Sequence, residues 1–196
     1  MTTYQFDELF CGAKNDALIG VSGGTSIQFF LRYANINKHL FDAKKIIVID
    51  ERDVCDTHPE SNYGRICSEF GNAMSVTSVK RVYKENWVSI NLDIVIMGFG
   101  SDGHFASIFP CFDQSKIDLR VCSFRTIVPV GTPYCIRYSL SEDVIPSASE
   151  IVLLANSERK YQTIDECKLG RLPHTPLARL LARRDDVQIV KPGAEF

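Results

Sequence analysis

The chain has 196 residues, of which 45% are hydrophobic and 23% charged, the composition of an ordinary globular protein long enough to bury a proper core. Its formal net charge of -2 offers no argument for a nucleic-acid or membrane partner, and no apolar run approaches the ~20 residues of a membrane span. The seven cysteines form no CxxC pair, so neither a disulfide framework nor a zinc cluster is suggested; reduced thiols in a cytoplasmic protein are the simplest account. The first residues lack a basic region followed by an apolar core, and no signal peptide is visible.

Ala17–Val21 reads as a first strand, ending in Ser22-Gly23-Gly24-Thr25-Ser26. A helical pattern follows through Ile27, Phe30, Leu31 and Ala34. Ile46–Ile49 is a second strand, ending in Asp50-Glu51-Arg52, and Glu60–Phe70 is expected to be helical. Val79–Tyr83 reads as a short strand, and Asp93–Met97 as a buried one with a short helix after His104. From Phe112 to Pro133 the pattern is irregular, with extended pieces near 120–124 and 126–130; Cys135–Leu140 alternates like a strand. Ile151–Leu154 is another buried strand, and Ser157 stands where it caps a helix to about Leu169. Thr175-Pro176 opens a short helix over Leu177–Arg184, and Val187–Val190 is a last strand. Alternating strands and helices imply an α/β layered fold around a mostly parallel sheet.

Three strand ends carry the chemistry, because ligands of parallel sheets bind at the carboxyl ends of the strands. The first, Ser22–Ser26, has glycines that let the backbone approach an anion and hydroxyls that add donors. By itself it fits a plain turn with a capping serine equally well. The second, Asp50-Glu51-Arg52, places three charges directly after an apolar strand, a costly arrangement unless they are solvated or paired. Its arginine suits phosphate or carboxylate oxygens; Ser61 and Asn62 fit as caps of the next helix. The third is Gly98-Phe99-Gly100-Ser101-Asp102-Gly103-His104, a glycine-rich turn that delivers a carboxylate and an imidazole two residues apart. Asp102 there can accept from one ring nitrogen of His104 and leave the other as a base. Neither Ser101 nor Ser107 sits in a nucleophile elbow, and the further ligands a metal needs are not displayed. Arg137 and Lys160 are basic residues that fit either surface solvation or an anion site.

In order along the chain, Ser22-Gly23-Gly24-Thr25, Asp50-Glu51-Arg52 with Pro59–Tyr63, Gly98–Pro110, Arg137-Tyr138-Ser139-Leu140 and Lys160 resemble the family of glucosamine-6-phosphate deaminases, isomerases and 6-phosphogluconolactonases. Two places divide the family. Its lactonases typically carry Asp-Glu-Arg and Ala-Ser-Leu-Phe-Pro; its deaminases carry Asp-Glu-Tyr or Asp-Glu-Trp and Ala-Phe-Asn-Glu-Pro. Asp50-Glu51-Arg52 and Ala106-Ser107-Ile108-Phe109-Pro110 side with the lactonases. Three departures stand out: Cys111 in place of a glycine, no glycine near Asn156-Ser157, and a shorter region before the first strand, where members carry a helix.

The resemblance implies a three-layer modified Rossmann-like α/β fold with a mostly parallel sheet flanked by helices, and a single sugar-phosphate-binding catalytic domain over residues 1–196. It implies cytoplasmic hydrolysis of 6-phospho-D-glucono-1,5-lactone in the pentose phosphate pathway, with no metal and no cofactor. His104 would be the general base, oriented by Asp102. Ser22, Gly23, Gly24, Thr25, Asp50, Arg52, Arg137 and Lys160 would hold the substrate and its phosphate. The alternatives it leaves are an amino-sugar-phosphate deaminase or isomerase and a non-catalytic sugar-phosphate sensor.

Overall fold

A computed structural model describes residues 4–71, 75–110, 117–128 and 134–191. Its centre is a parallel sheet of six strands: β1 (Leu18–Val21), β2 (Lys45–Val48), β4 (Ser75–Ser78), β5 (Ile94–Gly98), β9 (Glu150–Leu154) and β10 (Gln188–Val190). They lie in the order β10-β9-β5-β1-β2-β4. Successive residues of one strand bury opposite faces. Ile94 and Ile96 join the cluster under helices α1 (Tyr4–Gly12), α2 (Gln28–Ile36) and α3 (Asn62–Phe70). Val95 and Met97 join the cluster on the other face, with α4 (Val79–Lys84), α5 (Glu158–Lys168) and α6 (Pro176–Arg183). Burial on both faces is why these strands read as unbroken apolar runs. In the first cluster Phe6, Phe10, Phe30, Tyr33 and Phe41 pack ring on ring, with Phe10 and Phe41 centroids 4.6 Å apart.

A second sheet, antiparallel, runs β3-β8-β7-β6, built from β3 (Asp50–Arg52), β8 (Ile136–Leu140), β7 (Ser123–Ile127) and β6 (Ile117–Leu119). The charged triplet is thus a strand of its own and not the solvated end of β2; Asp50 pairs with Ser139 and Arg52 with Arg137. The irregular region supplies β6 and β7, while residues 111–116, including Cys111, and 129–133 lie outside the described residues.

Three further expectations are corrected. Val79–Tyr83 is helical: Ser78 accepts from the Lys80 amide at 3.2 Å, and Val79 and Val82, one helical turn apart, are both buried. No helix follows His104 directly; the chain turns back through bridges of Phe105 with Phe99 and Ile108. Ahead of the first strand, Phe6 and Phe10 of α1 are buried in the core. Thr175 caps α6 by accepting from Ala178, whereas Ser157 stands at the start of α5 without a side-chain bond to it. No helix among the described residues is long and apolar enough to cross a membrane.

The chain runs β1, β2, β4 in one direction, then returns to β5 on the other side of β1 and continues to β9 and β10. The strand order therefore reverses between β1 and β5, and a crevice opens outside their carboxyl ends at such a switch point.

Candidate active site

That crevice is a cavity of about 450 Å³, and every residue singled out from the sequence lines it: Ser22, Gly23, Gly24, Thr25, Asp50, Arg52, Asp102, His104, Arg137 and Lys160. Both sheets contribute. The turns after β1 and β5 are stitched together where Ser22 donates its amide to Ile96 O at 3.1 Å and accepts the Gly98 amide at 3.0 Å on Oγ.

His104 Nδ1 lies 2.6 Å from Asp102 Oδ1, which also accepts the His104 backbone N–H at 3.3 Å. The bond from His104 holds the Asp102 carboxyl below its ordinary range, so the aspartate is ionised at neutral pH and fixes the proton on Nδ1. Nε2 is then the basic nitrogen. The other ring face is covered by Phe109, stacked at 4.6 Å between centroids and 24° between planes. Gly100 is dictated by this pair, because a Cβ there would overlap Asp102 Oδ1 and the His104 ring. The Gly100 amide donates to His104 O at 2.8 Å, closing the turn.

Cations face the same space. Lys160, in the first turn of α5, donates to Ser26 Oγ at 2.5 Å, and its ammonium lies 5.1 Å from the Phe99 ring centre. Burial lowers its pKa, and a helix N-terminus disfavours a positive charge. An anion in the cavity would relieve both costs. Arg52 and Arg137 are cross-strand partners; burial first, and then the charge of Arg52, lower the Arg137 pKa, although a guanidinium stays protonated. Two adjacent cations at the wall of one cleft raise the local affinity for a multiply charged anion. Among the described residues no group of three or more His, Cys, Asp or Glu is arranged to hold a metal ion.

The glycine turn works differently from a simple phosphate loop. The Gly23 amide is given to Asp50 Oδ1 at 2.9 Å, and its missing side chain admits the Asn62 amide, which a Cβ would overlap. Donors toward an anion are left to Gly24, Thr25 and Ser26, whose amides make no hydrogen bond among the described residues. Four residues at or behind the site stand in the sequence motifs but were given no site role there: Ser26, Phe109, Glu51 and Asn62. Ser26 partners Lys160 and donates to Asn156 Oδ1 at 3.1 Å. Glu51 is completely buried and accepts the backbone N–H groups of Asn62 and Tyr63 at the start of α3.

A family model described as glucosamine-6-phosphate isomerases/6-phosphogluconolactonase matches residues 8–189. A 6-phosphogluconolactonase of Mesorhizobium japonicum is 29% identical over 173 residues, covering 78% of this chain and 71% of its own. One of Pseudomonas putida is 28% identical over 189 residues, covering 86% of this chain and 77% of its own. The crystal structure of a 6-phosphogluconolactonase from Shewanella baltica matches 95% of this chain and 89% of its own with a TM-score of 0.76; at 21% identity that likeness establishes the fold. With the model spanning both sheets and every element that lines the cavity, the chain belongs to the glucosamine-6-phosphate isomerase/6-phosphogluconolactonase family.

Proposed function

We propose that the chain hydrolyses 6-phospho-D-glucono-1,5-lactone to 6-phosphogluconate, acting as one catalytic domain whose two sheets share a single site. The observation that carries this reading is the Asp102–His104 pair, 2.6 Å apart, in the same cavity as Arg52, Arg137 and Lys160. It joins a base for water to a cluster of cations for a phosphate.

In this mechanism His104 Nε2 takes a proton from water as the oxygen adds to the lactone carbonyl. The tetrahedral intermediate collapses with cleavage of the bond between the carbonyl carbon and the ring oxygen. His104 returns the proton to that leaving oxygen, and Asp102 stabilises the imidazolium between the two transfers. Lys160, Arg137 and the amides after Gly23 hold the phosphate. Arg52 supplies fixed N–H donors and positive charge to the phosphate or to the developing oxyanion. A lactone is already an activated ester, so the scheme requires no metal or organic cofactor.

Phe109 separates this reading from an amino-sugar-phosphate deaminase. Where the deaminase pattern carries glutamate, an aromatic ring lies flat on His104. The expected result is rapid acid release from the phosphorylated lactone, above its spontaneous hydrolysis, and no ammonia from glucosamine 6-phosphate. A pH-stat assay and a coupled ammonia assay on the same preparation check it. Ammonia release without lactone turnover reverses the assignment, and 6-phosphogluconate binding without either reaction makes the protein a sensor.

A further inference from the structure

We propose that Asn62 is the positioning residue for Arg52, holding its guanidinium at the cavity wall through one buried amide. The inference rests on the lactonase reading only for its kinetic consequence.

Asn62 is the first residue of α3 and is completely buried. Its Oδ1 accepts from Arg52 Nη1 at 2.5 Å and from Arg65 Nη2 at 3.3 Å. Its Nδ2 donates to Asp50 O at 2.8 Å and to Asp50 Oδ2 at 3.3 Å. The other oxygen of Asp50 accepts the Gly23 amide at 2.9 Å, so one chain of bonds runs from the anion turn to Arg52. Only an amide meets these demands. A carboxylate has no donor for Asp50 and would repel it, and an apolar side chain serves neither end.

Capping of the helix does not explain this side chain. The start of α3 is already served by Ser61, which accepts from Gly64 at 2.9 Å, and by Glu51, which accepts the Asn62 and Tyr63 amides at 2.9 and 2.7 Å. The Asn62 amide is left over for the site. Arg52 depends on it: Nη1 has one other acceptor, Glu60 O at 2.9 Å, the Glu60 carboxylate stands off at 3.8 Å, and Nε is buried without a partner among the described residues. Without Asn62 the guanidinium keeps only the more exposed bond to Glu60 O, too little to fix its plane, and a donor that must meet a developing charge loses its direction.

The test has two arms. In the unliganded wild type, the Arg52 Nη protons, assigned by their loss in Arg52→Lys, give separate NMR resonances because rotation is hindered. In Asn62→Ala they collapse to one average; Asn62→Ser, whose hydroxyl falls short of Arg52, gives the same collapse should the alanine variant not fold. In the second arm, Asn62→Ala and Arg52→Met each lower kcat/KM for the phosphorylated lactone about tenfold or more, and the double variant is no worse than Arg52→Met alone. Separate resonances retained without Asn62, or losses that multiply, overturn the proposal. If the wild type does not turn over the lactone, the functional reading falls while the NMR arm still decides the positioning role.

Discussion

Glu51→Ala is expected to destabilise the protein by about 3–5 kcal/mol, because it leaves several buried donors without their acceptor. Glu51 has no exposed surface, yet every lone-pair direction of its carboxylate is used. Oε1 accepts the Arg52 amide at 2.8 Å and the Asn62 amide at 2.9 Å; Oε2 accepts the Tyr63 amide at 2.7 Å and the Ser61 hydroxyl at 3.1 Å. Two of these amides open α3, where the helix dipole favours a negative charge. Truncation strands three backbone donors away from water, each at about 1–3 kcal/mol before relaxation. Glu51→Gln is expected to be nearly as damaging, since one of its atoms becomes a donor facing donors. Urea unfolding checks the loss, and calorimetry should show a melting temperature lower by roughly 10 °C. A loss below about 1 kcal/mol would mean that β3 and α3 are held together by something else.

Asp102→Asn is expected to lower kcat for the lactone by about 10²–10⁴-fold with little change in stability. The argument is one of tautomers. Asp102 Oδ1 accepts from both His104 Nδ1 and the His104 backbone amide, so the ring carries its proton on Nδ1 and presents a basic Nε2. An asparagine that turns its amide nitrogen toward the ring donates to Nδ1 and moves the proton to Nε2, which then cannot take one from water. The variant also loses the charge that stabilises the imidazolium. Asp102 is more than half exposed, so its removal leaves no buried orphan and the fold survives. Steady-state kinetics on a variant with an unchanged melting curve make the check; a kcat within a few-fold of wild type removes Asp102 from the mechanism.

What was legible in the chain follows from the range of the interactions. The central strands were visible because both their faces are buried, which writes itself as local apolar runs. The Asp102–His104 pair was visible because its partners are two residues apart and a glycine makes room for them. The second sheet was legible only in part: Cys135–Leu140 alternates as β8 does and extended pieces fell near β7, but its outer strands were not visible. Its strands β3 and β6 have three residues each, too few for a period, and β3 consists wholly of charged residues. Asp50 and Glu51 lie buried in it because donors from Gly23 and the start of α3 reach them, contacts that sequence spacing does not reveal. Asn62 looked like a helix cap for the same reason: its partners Asp50 and Arg52 belong to another element. Lys160 and Ser26, 134 residues apart, come together only in the folded chain. Family resemblance placed Lys160 in the site, and no signal in the sequence marked Ser26 as its partner.

The claim at the centre of this account is that His104 activates water against a phosphorylated lactone. Its most direct test is hydrolysis of 6-phospho-D-glucono-1,5-lactone by the wild type and by His104→Ala, with spontaneous hydrolysis subtracted and 6-phosphogluconate binding measured on both. The account predicts a kcat about 10²–10⁴-fold lower in the variant with the product still bound. Equal rates in the two proteins would contradict it.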